Sequence, residues 1–352
     1  MKISVVIPMH NAANIILNCL NALALQEYLP DEVIVVNNNS TDSSRMVVEN
    51  AIGSLKGLKI ILCDEVKAGP AAARNKGAAI STGDIIAFTD ADCIPDRFWI
   101  KSISFVFNED KNLDAIGGID KSLTPPETVM GKFLSAFWLT SDYLTQAQIH
   151  RKEDFFDGKF IITFNCAFKR ELFTCINGFD ERFQAGEDLD ITLRAVAAGG
   201  KVVVWNSKMT VCHKQNICFR RLLKREFYYA KGLVHTVHEH FRHNIFIMMP
   251  KGHCQWSSKK GLTVVLMTNV PKTLFLLVTF SVAAIISPLL FWLIFTMAFM
   301  YFFIKIRRLV RKNGSSFTFR ETMLAFLFYL GREVSELTGR IYWSFKYKVV
   351  CL

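Results

Sequence analysis

No two of the nine cysteines stand at C-x-x-C spacing, and an odd, scattered set excludes a disulfide framework; they read as reduced thiols. The N-terminus lacks a long apolar h-region and a small-residue cleavage site, running straight into the strand pattern Ile3 to Ile7. The expectation is therefore no secretory signal and a cytoplasmic N-terminal part. Internal repeats and low-complexity tracts are also missing, which excludes a repeat array. Acidic residues are too few to balance the basic ones, leaving a net charge of +11. Lys and Arg gather from about Lys201 onward and around a long apolar run, a placement that fits an anionic membrane surface and not nucleic acid. What the chain has in quantity is apolar side chains, 51% of the total, unevenly spread: the longest charge-free run, Thr273 to Ile304, lies in the last third. That asymmetry predicts a soluble part followed by a membrane part.

Up to Asp92, short apolar runs alternate with helical patterns, the signature of βαβ units and a mainly parallel sheet flanked by helices. Strands are expected at Ile3–Ile7, Val33–Val36, Lys59–Cys63 and Ile85–Thr89, with helices at Asn14–Leu25, from about Asp42, and at Ala71–Ile80. Polar residues fall where such sheets bind ligands, at the carboxyl ends of the strands: Pro8-Met9-His10-Asn11, Asn37-Asn38-Asn39-Ser40-Thr41-Asp42 and Asp90-Ala91-Asp92. Beyond Asp114 the pattern is mixed. It suggests a long helix near Met130–Ile149, a strand at Ile161–Phe168, a helix at Lys169–Cys175, a helix opening at Glu187 and ending at Gly199-Gly200, and a strand at Lys201–Trp205.

Asp90-Ala91-Asp92 is the sharpest single feature. Two carboxylates one residue apart at a strand end can face the same side and offer hard oxygen ligands to Mn²⁺ or Mg²⁺. An acidic turn explains most isolated D-x-D triplets, but this one follows the buried strand pattern Ile85–Thr89 and precedes Pro95. Glu187-Asp188-Leu189-Asp190 is the second: one acid would cap a helix, whereas three within four residues repel each other and invite a metal, a shifted pKa or a hydroxyl substrate. Lys67-Ala68-Gly69-Pro70, leading to Ala73-Arg74-Asn75, places cations and backbone N–H groups at a helix start, suited to phosphates. His213, after the Lys201–Trp205 strand and a turn, is a candidate third metal ligand. His235, His238, His240 and His243 form no i, i+4 ligand pair among themselves, and an interfacial helix accounts for them better than a metal.

The ordered set Ile3-Ser4-Val5-Val6-Ile7-Pro8, Glu32-Val33-Ile34-Val35-Val36 with Ser40-Thr41-Asp42, Gly69 with Ala73-Arg74-Asn75-Lys76-Gly77, Asp90-Ala91-Asp92, Gly178-Phe179-Asp180-Glu181 and Gly186-Glu187-Asp188-Leu189-Asp190 with Arg194 resembles a family 2 glycosyltransferase of the GT-A fold. The resemblance implies an inverting enzyme with a nucleoside-diphosphate-sugar donor and a divalent metal. By it, Asp90 and Asp92 serve the metal and the donor's ribose and diphosphate, with His213 able to complete the metal site. Arg74 and the loop after the second strand hold the base, and Asp188, beside Glu187, is the general base. Pro8, His10, Asn11, Asn37, Asn38, Ser40, Lys67, Arg74, Asn75 and Asp90 are the expected donor-binding residues. Two departures stand out. Asn37-Asn38-Asn39 replaces the acids usual after the second strand, so the carboxylate that reads uracil is absent, although an amide can still pair with a base edge. His10 stands where an aromatic hydroxyl is common.

The expected layout is a catalytic domain over 1–220, with a nucleotide-sugar half at 1–92 and an acceptor half at 93–220, then an amphipathic linker at 221–260 and a membrane hairpin with interfacial helices at 261–352. One helix over Thr273 to Ile304 would be about 48 Å long, against a hydrocarbon core of about 30 Å. Ser287-Pro288 near its middle and basic flanks on both sides favour a hairpin with both ends in the cytoplasm. Phe317 to Tyr342 reads as an amphipathic helix along the bilayer or against the catalytic domain. The acceptor is then expected at the membrane, as a lipid, a lipid-linked saccharide or a surface glycan. The alternatives are a processive polysaccharide synthase, for which the Q-x-x-R-W motif is missing, and an inactive membrane scaffold, which would have no need of Asp90, Asp92 and Asp188 together.

Overall fold

Continuous apolar runs become strands buried on both faces, because alternate side chains must each find a core. In the computed structural model this holds for β1 (Ile3–Met9), β2 (Glu32–Asn37) and β4 (Ile85–Thr89), while β3 (Ile60–Asp64), at the sheet edge, is only half-buried. Val5, Val33, Val35 and Ala87 pack into one core, while Val6, Ile34, Val36 and Phe88 pack into another on the opposite face. Helices α1 (Ile16–Ala24), α2 (Ser44–Ser54) and α3 (Pro70–Ile80) connect these strands. The structure describes residues 1–55, 57–121, 128–137, 146–213, 218–242, 244–249, 252–257, 263–266 and 317–352, with isolated positions between 287 and 304.

The order continues with β5 (Cys93–Pro95), α4 (Trp99–Glu109), β6 (Leu113–Asp120), α5 (Val129–Phe137) and β7 (Ala147–Ile149). A 3-10 helix (Lys152–Asp157), β8 (Asn165–Lys169), α6 (Arg170–Cys175), α7 (Glu187–Ala197) and β9 (Lys201–His213) follow. One mixed sheet takes the order β3-β2-β1-β4-β8-β6-β9-β5, with β7 pairing β9. It is parallel through β3-β2-β1-β4 and again at β6-β9, and antiparallel where β8 meets β4 and β6. Gly77 lets α3 lie close to this sheet, since a Cβ there would stand 2.4 Å from Val6 Cγ1.

Three expectations about the second half are corrected. The helix foreseen over Met130–Ile149 is helical only as α5; residues 138–145 lie outside the described residues, and Ala147–Ile149 is a strand because it pairs with Val202 to Val204 of β9. The strand foreseen from Ile161 starts at Asn165, since the Ile161 N–H is taken by the Thr192 hydroxyl, 3.0 Å away, and not by a neighbouring strand. The strand foreseen over Lys201–Trp205 runs on to His213 through an irregular stretch in which Trp205 takes φ 61.

The chain divides into two compact units, residues 1–123 with 141–215, and residues 124–140 with 216–352. The second contains α5, α8 (Phe219–His240), a four-stranded sheet ordered β11-β10-β12-β13, and α9 (Phe319–Tyr347). Its strands are β10 (Asn244–Met249), β11 (Gly252–Ser257), β12 (Val264–Leu266) and β13 (Val350–Cys351). Within the stretch expected as an amphipathic linker, the described residues form most of α8 and the antiparallel pair β10–β11. Thr318 and Glu321 close a reciprocal capping box at the start of α9, which packs its buried face on α8. The run Thr273 to Ile304 lies for the most part outside the described residues, among which no helix is long and apolar enough to cross a membrane.

Glu32, 1% exposed at the start of β2, ties β1, β2 and the turn before β4 together. Burial alone would raise its pKa. The Thr82 N–H at 2.6 Å, the hydroxyls of Ser4 and Thr82 at 2.7 and 2.9 Å, and Lys59 at 3.2 Å outweigh it and hold the carboxyl at about 2 instead of 4.5. A depressed carboxylate stabilises the fold fully above its unfolded value and loses that contribution as pH falls from about 4.5 through about 2. Glu32→Gln is expected to cost about 3 kcal/mol at neutral pH and to flatten the loss of stability in that acid window, read by urea unfolding across the pH range.

Candidate active site

The carboxyl ends of β1, β2 and β4 open onto one cleft of about 380 Å³. Pro8 and His10 after β1, Asn38 after β2, the Ala68-Gly69-Pro70 turn that starts α3, and Arg74, Asp90 and Asp92 all line it. The loops are held in place by their own side chains. Asn11, at φ 49, accepts the Thr41 N–H on Oδ1 at 2.8 Å, while its own N–H donates to Ser40 Oγ at 3.1 Å. His10 Nδ1 lies 2.7 Å from the Asn38 carbonyl and so carries the proton there.

Asn38, 6% exposed, has its amide fully engaged: Nδ2 donates to the carbonyls of Glu65 and Lys67, and Oδ1 accepts the Gly69 N–H, each at 2.8 Å. Asn37 donates to Asp64 at 2.8 Å and Asn39 to the Val66 carbonyl at 3.0 Å. The three amides therefore staple the loop after β3 to the loop after β2. Asn75 is another clamp: Nδ2 donates to the Phe179 carbonyl and to Glu181, and Oδ1 accepts the Phe179 N–H. Lys67, foreseen on a phosphate, pairs with Glu181 at 2.5 Å.

Arg74 is the centre of the site. Its side chain is 2% exposed, donating from one terminal nitrogen to Asp90 at 2.8 Å and from the other to Glu187 at 3.0 Å, with its guanidinium 5.6 Å from the Phe179 ring centre. Burial would favour losing the proton, but the Asp90 and Glu187 carboxylates more than offset it and keep the group charged.

The three acids that open α7 divide their tasks. Glu187 holds Arg74, whereas Asp190, buried, makes a two-pronged pair with Arg194, which also donates to the carbonyls of Ile176 and Gly178. Asp188 has no basic partner among the described residues and accepts backbone N–H groups at the helix start, Leu189's at 2.9 Å and its own. Burial first and the Glu187 charge second push its carboxyl up to about 7.

Asp92 and His213 meet at 3.0 Å, carboxylate oxygen to Nε2, although they stand far apart in sequence. Burial opposes both charges, yet the contact wins: it lowers the pKa of Asp92 and raises that of His213. Ligand atoms of Asp92, Cys93 and His213 lie within 4.8 Å of one another. Burial drives the Cys93 thiol well above its ordinary value, so the usable donors are the carboxylate and the imidazole, a set that fits Mn²⁺ or Mg²⁺. Asp90 is not part of that cluster, because Arg74 holds it. Asp120, at the end of β6, was not foreseen: it accepts the His213 N–H at 3.3 Å, and burial raises its carboxyl to about 6. Its place at a strand's carboxyl end was the available signal. Phe179 belongs to the Gly178-Phe179-Asp180-Glu181 run, and nothing in that run signals its place under the Arg74 guanidinium.

Residues 4–176 match the family model of Glycosyl transferase family 2. The chain is 28% identical over 235 residues to Glycosyltransferase AglE of Haloferax volcanii, covering 66% of this chain and 73% of that protein. It is 25% identical over 206 residues to the Glucosyl-dolichyl phosphate glucuronosyltransferase of the same organism, covering 55% of this chain and 63% of that protein. Among solved structures it is similar to the Mannosyltransferase PcManGT from Pyrobaculum calidifontis in complex with GDP-Man and Mn²⁺, with a TM-score of 0.56 and 16% identity over 97% of this chain and 87% of that one. That likeness shows the fold, a GT-A-like mixed sheet flanked by helices.

Removing the central cation should leave Asp90 and Glu187 uncompensated. Arg74→Met is expected to lower stability by about 3 kcal/mol, and Arg74→Lys by a large part of that, since a single ammonium does not reproduce the two-pronged fork. Denaturant unfolding of both variants checks this, and equal stability of wild type and Arg74→Met would contradict it.

Proposed function

We propose that this chain, which carries a family 2 glycosyltransferase domain, moves a sugar from a nucleoside-diphosphate-sugar onto a hydroxyl of a membrane-located acceptor, with inversion at the anomeric carbon. The carrying observation is Asp188: of the three acids at the start of α7 it is the one with no basic partner among the described residues, and its carboxyl is raised to about 7, next to the residue that holds Arg74 of the cleft. A base tuned near the working pH is what proton removal from an acceptor hydroxyl requires. Asp188 accepts that proton as the hydroxyl oxygen attacks the anomeric carbon and the nucleoside diphosphate departs on the opposite face. Bound Mn²⁺ or Mg²⁺, held by Asp92 and His213 with Asp90 beside them, supplies the positive charge that the departing diphosphate needs. Arg74 fixes Asp90 and Glu187, and the staples made by Asn11, Ser40 and Asn38 hold the donor loops in place before the donor arrives.

The membrane acceptor is supported by the apolar run Thr273 to Ile304 with its basic flanks, and by the name of the relative that acts on a glucosyl-dolichyl phosphate. On this reading the catalytic unit works at the cytoplasmic face. The nucleotide base stays open, because the run after β2 carries amides, which can both donate and accept, and no carboxylate.

The purified full chain should release nucleoside diphosphate from its donor, dependent on Mn²⁺ or Mg²⁺. Donors are first ranked by thermal stabilisation, where a ligand at 100 times its dissociation constant adds about 2.7 kcal/mol. Asp188→Asn should lower turnover about 10³-fold, and Asp92→Asn should abolish the metal requirement together with the activity. Because the base must be ionised, turnover should rise with pH through about 7. Asp188→Asn should also make the free protein more stable above that pH, by about 1–3 kcal/mol, since the ionised carboxylate there is a cost to the fold. A full set of donors that neither binds nor is cleaved points instead to a non-catalytic scaffold.

A further inference from the structure

The charges of α8 and α9 are sorted by sign. Every acid on the two helices is turned inward: Glu226, Glu239, Glu321, Glu333 and Glu336 have side chains between 5% and 25% exposed. Each meets a basic residue of the same unit: Glu226 with Arg332, Glu336 with Arg340, Glu321 with Lys132. Outward, α8 presents Arg220, Lys224, Tyr228 and Lys231 at i, i+4, i+8 and i+11, one stripe of the helix. The end of α9 adds Phe345, 82% exposed, and Lys346.

The two helices join into one face. Lys231 lies 5.6 Å from the Tyr228 ring centre and 5.1 Å from that of Trp343, and Lys346 lies 5.2 Å from the same Trp343 ring. Cations interleaved with aromatic rings, with no acid among them and an exposed phenylalanine at the end, match the composition of a bilayer interface, where basic groups meet phosphate and aromatic rings sit at headgroup depth. Burial and then the nearby Lys346 charge lower the pKa of Lys231, a repulsion that an anion between the two ammonium groups relieves.

We propose that the face built from Arg220, Lys224, Tyr228 and Lys231 of α8 with Phe345 and Lys346 of α9 seats on the phosphate headgroups of an anionic bilayer. It rests on the membrane reading of the proposed function and adds to it a docking face separate from the apolar run. The run partitions into any bilayer, whereas this face responds to lipid charge. A polyanion such as RNA is the competing occupant, disfavoured by the exposed Phe345 at the rim.

The test is flotation of the full chain, synthesised in the presence of vesicles of phosphatidylcholine alone or of phosphatidylcholine with phosphatidylglycerol. Wild type should favour the anionic vesicles, and the preference should fall with added salt. Arg220→Gln, Lys224→Gln and Lys346→Gln together should erase the preference, on the order of fivefold for each charge, while leaving flotation with neutral vesicles unchanged. Phe345→Ser should weaken flotation with anionic vesicles and leave donor-induced thermal stabilisation intact. A triple variant that keeps the wild-type preference overturns the proposal, as does RNA binding that depends on these residues without any lipid preference. Failure of wild type to float with either vesicle overturns the membrane reading as well, and donor cleavage in the same preparation reports separately on sugar transfer.

Discussion

The unit of residues 1–123 and 141–215 is organised around one buried cation. Arg74 leaves α3 inside the protein, where a lone guanidinium would be very costly, and is tolerated because Asp90 comes from the end of β4 and Glu187 from the start of α7. The dependence runs both ways. Two carboxylates brought this close without the guanidinium would repel each other, so the cation also decides where α7 can begin. Arg74 points its two terminal nitrogens at Asp90 and Glu187, and its charge offsets only part of what burial and Glu187 do to Asp188. That is why burial and the neighbouring Glu187 can raise the Asp188 carboxyl while its two acidic neighbours stay paired.

A second consequence concerns rigidity. Loops at strand ends are ordinarily the mobile part of an α/β protein. Here those after β1, β2 and β3 are joined by bonds from Asn11, Asn37, Asn38 and Asn39 to backbone groups and to Asp64. Asparagine suits this work because its amide donates and accepts at once, and because it tolerates the left-handed backbone that Asn11 and Asn39 adopt. A run of amides at this point is therefore a gain in loop order.

Strands β1 to β4 were readable from the sequence to within two residues at each end, because burial on both faces, complete in β1, β2 and β4 and partial in the edge strand β3, makes a strand an apolar run between polar turns. The positions of Asp90 and Asp92 at the end of β4 and of Asp188 at the start of α7 were readable for a related reason, since each follows a recognisable strand or helix boundary. What escaped was set by distant partners. Nothing local to Asn38 reveals that its amide is spent on Glu65, Lys67 and Gly69, and nothing near Lys67 points to Glu181. Strand β7 exists because β9 offers it an edge, a fact written in Val202 to Val204 and not in Ala147 to Ile149. Asp120 follows an ordinary-looking strand, and its significance comes from His213, brought beside it by the β6–β9 pairing.

The α8 and α9 pair shows the same economy of charge applied to a surface. Gly331 and Gly339 allow close contact between the helices, since a Cβ at either would fall 2.7 or 2.8 Å from atoms of Phe219 or of Ala230 and Phe227. Contact that close leaves little room for water, so any acid at the seam must be paired, and Arg332 and Arg340 supply the partners. Once the acids are committed inward, the excess of Lys and Arg has nowhere to go but out. Sorting of charge by sign is thus a packing consequence before it is a binding feature, and Lys231 and Lys346 sharing Trp343 is where the two requirements meet. The outward face is basic because the inward face has already used every acid the two helices carry.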